Sequence, residues 1–396
     1  MNTAELTLTE QRFRWDRAAV AASCAYCMLI VALSTGTVLG ELRDQFGIGG
    51  VITALHGTGF GVGSLLVGMT GHRLVRVTGR RVAMLGALTG IAVGITTFCV
   101  GGSWPVTLAG ATVAGVSAST LVMLMPGLVA DRYGAVWTEA FAATNAVPGV
   151  AAVTFSLVIG SAISAGQSWR IAYFAMLVAF GALTVASGRG VTFPADHRDD
   201  SNGPRSPLQA LRRPALRRAY VWVVIGVLCD FPIGIWSVTY LKEVGGASAG
   251  LAPILGGGFG LAMFLVRLRM GRIRWFSGPQ ATAVSFAGVA ASVAALVAAP
   301  WLAVQVAALC AAGAFAAPLY PVLVGRLYDA APDESSATLG AVAVIGSGTA
   351  VTFGPLLIGV LADTVGMRGA LAMSGVVAVG ALIAERRPAS VSLAAA

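Results

Sequence analysis

The sequence is divided into apolar runs of about 20 residues, and this recurrence restricts the fold more than any other feature. A run of that length, coiled as an α-helix, crosses a hydrocarbon core roughly 30 Å thick. Lipid offers no partner for backbone N–H and C=O groups, so only helices and closed barrels cross a membrane. The runs are apolar throughout rather than alternating, which excludes the barrel. We therefore predict an all-α membrane protein.

Twelve such spans are predicted, six on each side of a polar central segment. They lie at about 17–39, 51–71, 81–101, 104–129, 140–165, 169–188, 219–241, 249–268, 278–299, 301–325, 338–362 and 366–384. The central segment, residues 189–218, carries seven arginines and four prolines, a composition typical of a solvated linker. The predicted domains are an N-terminal segment 1–16, a six-helix half 17–188, the linker 189–218, a six-helix half 219–385 and a tail 386–396.

The basic residues set the predicted orientation. If the N-terminus is cytoplasmic, all but four of the 26 basic residues fall in cytoplasmic segments. The four exceptions are Arg43, Arg170, Lys242 and Arg368. The positive-inside rule then places both termini in the cytoplasm, and we expect a multi-pass protein of the plasma or inner membrane. The net charge of +9 reflects these topology signals, so we expect no nucleic-acid partner.

No motif predicts catalysis, a metal or a cofactor. All five cysteines lie in predicted spans, and Cys24 and Cys27 form a CxxC without a second ligand pair. The histidines His56, His72 and His197 fall at different levels, and the sequence contains no HExxH, GxSxG or phosphate-binding GxxxxGK[ST] motif. A membrane-embedded enzyme or receptor therefore fits less well than a transporter, and we expect no enzymatic activity.

The second half of the chain repeats the first. Gly59-Phe60-Gly61 in span 2 recurs as Gly258-Phe259-Gly260 in span 8, and Arg73 is matched by Arg272 at the same shift of about 199 residues. An even number of spans separates the copies, so the repeats are parallel, related by an axis along the membrane normal. This pattern is typical of transporters.

With these features the sequence resembles the Major Facilitator Superfamily over essentially its whole length. The twelve spans, the basic central loop and the segment GHRLVRVTGRR after span 2 carry the resemblance, as does GSGTAVTFGPLLIGVLADTVG in span 11. The resemblance implies two pseudo-symmetric six-helix domains that rock about a central cavity and expose one site to each side in turn. It also implies a cytoplasmic gate loop with the residues Arg73, Gly79, Arg80 and Arg81.

Asp230 is the strongest candidate for a functional residue. It lies about eleven residues from either end of span 7, close to the bilayer midplane. An ionised carboxylate at that depth costs about 2.5–3.5 kcal/mol, so it must pair, face water or carry a proton. Pro232 follows and frees a backbone carbonyl, which is tolerated where a helix lines a cavity. We predict that Asp230 couples transport to protons, although a permanently protonated structural role stays open.

Helical periodicity and the resemblance suggest which residues share the cavity with Asp230. Positions on the same face of span 7 are Trp222, Ser237 and Tyr240. The resemblance implies that spans 1, 4, 7 and 10 line the cavity. Further candidates for substrate binding are Tyr26, Ser34, Ser119, Met123, Asn145, Gln305 and Tyr320. His56 lies near the outer end of span 2, where an interfacial position is expected more than a role in a proton pathway.

The predicted substrate depends on the charges in the cavity. Arg267 is assigned to the loop after span 8, so no arginine or lysine is expected at the depth of Asp230. A desolvated anion would lack a partner there, which favours proton-coupled export of a small neutral or cationic organic compound. The alternative is proton symport of a neutral nutrient such as a sugar. Both use one chain, and we expect a monomer whose partners are the substrate, protons and the lipid bilayer.

Overall fold

The computed structural model describes residues 13–133, 136–191, 206–269, 280–334 and 336–386, and within these ranges the protein is helical without a β-strand. The helices of the N-terminal half are α1 (Arg17–Leu33), α2 (Gly50–Thr78), α3 (Arg80–Val100), α4 (Trp104–Tyr133), α5 (Trp137–Ser164) and α6 (Trp169–Gly188). Those of the C-terminal half begin with α7 (Pro214–Glu243), α8 (Leu251–Arg269), α9 (Ala281–Ala298) and α10, which has the segments Leu302–Ala316 and Leu319–Asp329.

The last helical run, Ser336–Arg386, contains two crossing helices. It is 51 residues long, about 75 Å at 1.5 Å per residue and more than twice the hydrocarbon thickness. Gly366 divides it, because its φ of 76° and ψ of 165° are not helical. We name the parts α11 (336–365) and α12 (367–386). Among the described residues, eleven helices are long and apolar enough to cross a membrane. The run that contains α11 and α12 is one of these eleven and holds two spans, so the prediction of twelve spans is confirmed.

Several helix ends differ from the predicted bounds; α2, for example, ends at Thr78 rather than near 71. α1 continues into a 3₁₀ helix, Ser34–Val38, and a short helix, Leu39–Phe46. α7 begins at Pro214 rather than near 219, and a four-residue helix, Pro207–Ala210, precedes it. Proline suits the first turn of a helix, where its missing N–H would have no partner. The last turn of the predicted linker is therefore helical, whereas residues 192–205 lie outside the described ranges.

Glycines of α2 let three other helices approach closely. A Cβ at Gly59 would lie 2.7 Å from Cα of Thr112 in α4, and one at Gly63 would lie 2.5 Å from Cα of Val116. Gly61 is equally close to Thr352 of α11, and a Cβ at Gly57 would lie 2.7 Å from Cδ1 of Ile235 in α7. Because lipid provides no hydrophobic drive between helices, such close backbone packing stabilises the bundle.

The two halves meet at two contacts that repeat the internal symmetry. A Cβ at Gly359 in α11 would lie 2.6 Å from the carbonyl oxygen of Gly50 in α2. A Cβ at Gly160 in α5 would lie 2.4 Å from the carbonyl oxygen of Gly250, just before α8. The two pairs are related by a shift of about 200 residues. The helix pairs α2–α11 and α5–α8 therefore form equivalent seams on either side of the molecule.

An aromatic cluster fixes the end of α1 in the N-terminal half. The Tyr173 ring of α6 contacts Phe155 and Phe98, with ring centroids 4.7 and 5.6 Å away. Its buried hydroxyl donates a 2.6 Å hydrogen bond to the carbonyl of Ser34. That carbonyl belongs to the 3₁₀ turn, where the regular helical bonding pattern is lost. Tyr173 thereby holds the point at which the chain turns toward the C-terminal half.

Candidate functional site

Ion pairs between the halves close the predicted outer end of the bundle. Lys242, near the end of α7, donates hydrogen bonds to Glu41 at 2.6 Å and to Asp44 at 2.8 Å. Arg43, on the same short helix as these two acids, donates to Glu243 at 2.9 Å. The helix Leu39–Phe46 of the N-terminal half is thus attached to the last turn of α7 through both acidic and basic side chains.

Asp363 adds a third connection at the same end. Its carboxylate accepts hydrogen bonds from the backbone N–H of Gly50 at 2.8 Å and of Val51 at 3.3 Å, the first residues of α2. The guanidinium of Arg43 lies 3.7 Å away. A carboxylate at a helix N-terminus is favoured by the unpaired N–H groups and the helix dipole. We call this set of contacts the outer latch; its residues are Glu41, Arg43, Asp44, Lys242, Glu243 and Asp363.

Asp230 lies in the middle of α7, as predicted from the sequence, and it is half-buried. No ion-pair partner for its carboxylate is found among the residues that the structure describes. Pro232 stands inside the same helix and packs against α11, because a Cβ at Gly354 would lie 2.8 Å from the proline Cγ. The carboxylate is therefore held at mid-depth next to an interrupted stretch of helical hydrogen bonding.

Arg267 corrects the prediction that no basic side chain lies at the depth of Asp230. Its guanidinium is close enough to Asp230 and Tyr320 to interact with both electrostatically. Arg267 is 16 residues from the outer end of α8 at Leu251, and Asp230 is 13 from that of α7 at Glu243. These spacings correspond to depths of about 24 and 20 Å. Arg267 is therefore an intramembrane residue, not a loop residue.

The break in α10 explains how the guanidinium is held. Between the two segments of α10, the carbonyl of Ala317 accepts a 3.0 Å hydrogen bond from Nε of Arg267. A carbonyl at a helix end lacks its intrahelical partner and attracts a cationic donor. The Arg267 side chain is exposed in the last turn of α8, so a molecule outside the protein can reach it.

Tyr320 completes the group. It begins the second segment of α10, is half-buried, and interacts electrostatically with both Asp230 and Arg267. Its hydroxyl lies near the side chain of Ser347 in α11. Asp230, Arg267 and Tyr320 thus come from three helices of the C-terminal half to one place, and we call them the central triad. On the outer side, a void of about 10 Å³ next to Phe231 and Ile235 has room for no more than one water molecule.

The comparison with protein families decides what this bundle is. A family model described as the Major Facilitator Superfamily matches residues 18–309. The chain belongs to the Major Facilitator Superfamily. It is a multi-pass membrane transporter, not an enzyme.

Solved structures of other transporters share the fold of this superfamily member. A nucleoside transporter, NupG, solved as a point mutant, superposes with a TM-score of 0.77 at 10% identity, covering 94% of this chain and 99% of its own. A D-xylose–proton symporter superposes with a TM-score of 0.73 at 12% identity, covering 94% of this chain and 97% of its own. A bacterial homologue of the human lysosomal transporter Spinster, solved in an inward-facing and occupied conformation, superposes with a TM-score of 0.66 at 12% identity. The superposition covers 92% of this chain and 95% of the homologue. A search of curated proteins found no match.

Several predicted binding residues of the transporter take part in helix–helix contacts of the C-terminal half. Ser237 donates to the carbonyl of Gly234 at 2.8 Å, and Tyr240 to that of Leu296 at 2.9 Å; both are buried. Gln305 is buried and donates to the carbonyl of Ala299 at 2.9 Å. Trp222 stacks on Phe286 of α9 with ring centroids 6.0 Å apart. Of the predicted partners of Asp230, the structure brings Tyr320 to it.

The candidates of the N-terminal half are similarly engaged. Ser119 is buried and donates to the carbonyl of Gly115 or Phe60 at 2.9 Å. Met123 packs against Gly71 of α2, and Ser34 donates to the carbonyl of Ile30 at 2.7 Å. Tyr26 is 5% exposed and belongs to the hydrophobic core. The backbone of Asn145 is helical, but its side chain lies outside the described part, so its role stays a prediction.

The His56 side chain is buried between helices, with 2% exposure. Its Nδ1 lies 3.0 Å from the carbonyl of Ile52, and its Nε2 lies 2.9 Å from Oγ1 of Thr107 in α4. The ring also contacts Phe98 of α3, so α3 and α4 cover this end of α2. Its position at the membrane interface stays a prediction.

The predicted gate loop is almost entirely helical: α2 continues through Arg73 to Thr78, Gly79 follows, and Arg80 and Arg81 begin α3. Gly79 has a φ of 78° and a ψ of 156°, a backbone conformation that residues other than glycine rarely adopt. Arg73 and Arg81 are exposed, and Arg80 is partly buried with a bonding partner. Their role as a gate stays a prediction.

Proposed function

We propose that this transporter couples the movement of a small polar organic compound to protons by alternating access, with Asp230 as the proton-carrying group. The observation that supports this most strongly is the position of Asp230. It is a half-buried carboxylate in the middle of α7 without an ion pair among the described residues, and it is near enough to Arg267 and Tyr320 to interact with both electrostatically. A carboxylate in that environment is costly as an anion, so proton binding can offset the cost of exposing it to each side in turn.

The outer latch supports the alternating-access part of the proposal. Six charged side chains from both halves meet at one end of the molecule, whereas the Arg267 side chain of the central triad is exposed. This is the arrangement of a carrier closed on its outer side. Exposed ion pairs contribute about 0–1 kcal/mol each, so the latch is strong enough to bias one state and weak enough to open.

The central triad modifies the expected substrate. The preference for neutral or cationic compounds depended on a cavity without basic groups, and Arg267 places a cation in it. A cationic substrate is therefore less favoured, because it would compete with Arg267 for Asp230. Among the structural neighbours are a nucleoside transporter and a xylose–proton symporter, which supports a small polar substrate. The sequence analysis favoured export of a neutral compound. Such export would use the same residues, with protons moving in the direction opposite to the compound.

The proposal is tested by transport in proteoliposomes under an imposed pH gradient. Sugars, nucleosides, organic cations and organic acids are offered while internal pH is read from an entrapped dye. We expect one class to move with a matching proton flux, and Asp230→Asn to abolish the coupling, because the amide keeps the size of the side chain but releases no proton.

Asp329→Asn is the matched control, since it makes the same carboxyl-to-amide exchange at an exposed helix end. It should transport as the wild type does. Proton-driven transport by Asp230→Asn at the wild-type rate would remove Asp230 from the mechanism.

A further inference from the structure

In the central triad, the terminal edge of the Arg267 guanidinium makes no hydrogen bond to the described residues. Arg267 donates through Nε to the carbonyl of Ala317 at 3.0 Å, and no partner for its two terminal nitrogens is found among the described residues. These two N–H groups point the same way in the plane of the guanidinium and match the two oxygens of a carboxylate. Since the side chain is exposed, a ligand can reach them.

Asp230 is the second half of this arrangement. Its carboxylate is near enough to Arg267 for electrostatic attraction, yet no salt bridge joins them. The charged and titratable groups that face it are Arg267 from α8 and Tyr320 from α10, with Cys229 beside it on α7. One positive and one negative charge therefore face each other across a gap instead of closing on each other.

Charge balance determines what can fill the gap. A carboxylate on Arg267 while Asp230 is ionised would place two negative charges and one positive charge close together beside the half-buried Asp230, which is unfavourable. A proton on Asp230 restores neutrality. Anion and proton therefore favour each other's binding, and each is disfavoured alone. A neutral substrate has no such dependence, because Arg267 and Asp230 already balance.

We infer that the substrate class is small organic acids, whose carboxylate binds the two terminal nitrogens of Arg267 while a proton occupies Asp230. One anion and one proton bind together and leave together, so transport by this site is an electroneutral symport. The inference rests on the proposed function, in which Asp230 carries the coupled proton.

The test compares matched acids and amides on the purified full-length protein. Lactate with lactamide and benzoate with benzamide are the probes, and thermal stabilisation and proton uptake from weak buffer are measured at mildly acidic and neutral pH. We expect an acid to stabilise the protein more than its amide, with a preference that grows as pH falls. About one proton should be taken up for each acid bound, and none for the amide.

Variants assign the preference to Arg267. Arg267→Gln should weaken acid binding roughly ten- to a hundredfold, the usual effect of losing a charged hydrogen-bonding group. Arg269→Gln removes an exposed arginine two residues away and should bind as the wild type does. Arg267→Lys keeps the charge without the paired N–H groups, so its affinity for the acid should lie between those of the wild type and Arg267→Gln. This variant also provides the test if Arg267→Gln does not fold.

Equal stabilisation by acids and amides, or an acid preference that survives Arg267→Gln, would overturn the inference. Proton-coupled transport of a neutral sugar that requires Asp230 but not Arg267 would overturn it while leaving the proposed function intact. If instead acids bind through Arg267 but Asp230→Asn still takes up the proton, the proposed role of Asp230 fails and acid recognition stands.

Discussion

At the scale of single residues, the central triad combines a carboxylate and a guanidinium that do not neutralise each other by direct contact. The break in α10 is responsible, because the carbonyl of Ala317 binds Nε and holds the guanidinium away from Asp230. A closed buried ion pair would have to be broken for each transport event, which typically costs several kcal/mol. The open arrangement keeps both charges available to a substrate and a proton.

Depth along a helix allows the sequence to predict one member of the triad but not the other. Asp230 is unambiguous, since it stands alone in the middle of a long apolar run. Arg267 belongs to a cluster of arginines that marks a cytoplasmic loop, and its true depth depends on where α8 begins. Likewise, periodicity placed Ser237 and Tyr240 on a face of α7 but could not show that neighbouring backbone carbonyls already accept their hydroxyl groups.

At the scale of helices, α1 begins with a cap that also ties it to α4. Asp16 accepts a hydrogen bond from the N–H of Ala19 at 2.9 Å, and it accepts others from Arg132 at 2.8 Å and Tyr133 at 2.5 Å. Partial burial alone would raise the pKa of Asp16. The bonds from Tyr133, Ala19 and Arg132 outweigh burial and lower the pKa from 3.8 to about 2.

This cap predicts a stability change that depends on pH. Because the pKa is lowered in the folded protein, the stabilisation is fully present above about pH 4 and is lost as pH falls toward 2. Asp16→Ala should lower the unfolding temperature at neutral pH, since losing a helix cap costs about 1 kcal/mol. Asp16→Asn keeps a good capping side chain and should lose less.

Thermal unfolding followed by size-exclusion chromatography measures both variants. The loss in Asp16→Ala relative to wild type should shrink at the acid end of the range. A loss that is equal for both variants, or that is unchanged by acid, would show that the cap and its pairs do not stabilise α1.

The sequence predicts that a glycine stands at each helix break, but it does not predict which glycine. Gly366 separates α11 from α12 inside a continuous helical run, and Gly79 does the same between α2 and α3. The apolar runs predicted both boundaries, because a bilayer limits helix length. The 3₁₀ turn at Ser34–Val38 was not predicted, since it depends on the hydroxyl of Tyr173 from a distant helix.

At the scale of the whole molecule, the outer latch holds one of the two access states. Lys242→Gln with Asp363→Asn would remove the ion pairs of Lys242 with Glu41 and Asp44, and it would weaken the contact of residue 363 with the first turn of α2 by removing the negative charge. Each tenfold change in the ratio of states corresponds to about 1.4 kcal/mol. We expect the double variant to populate an outward-open state that is minor in the wild type.

Spin labels at Gln167 and Trp301, exposed residues in the outer turns of the two halves, report this change by electron–electron distance measurement. A longer distance should appear in the double variant, and in the wild type at high salt, because salt screens exposed charges. The matched control is Asp329→Asn, which lies outside the latch. Unchanged distances in the double variant would show that the latch does not set the access state.

The symmetry of the fold was visible in the sequence, whereas the closed end was not. The repeated glycines indicate two equivalent halves, and the seams at Gly50–Gly359 and Gly160–Gly250 follow that symmetry. The latch breaks it, because Asp363 has Ser164 at the equivalent position in the other seam. Which end closes depends on charges from three separate segments that only the fold brings together.

Proton binding by Asp230 is the central claim, and infrared difference spectroscopy tests it without a known substrate. Acidifying the purified protein should produce a carbonyl-stretch band of a protonated carboxylic acid that is missing from Asp230→Asn and present in Asp329→Asn. If the band in Asp230→Asn is the same as in the wild type over the whole pH range, Asp230 does not exchange a proton and the coupling mechanism is contradicted.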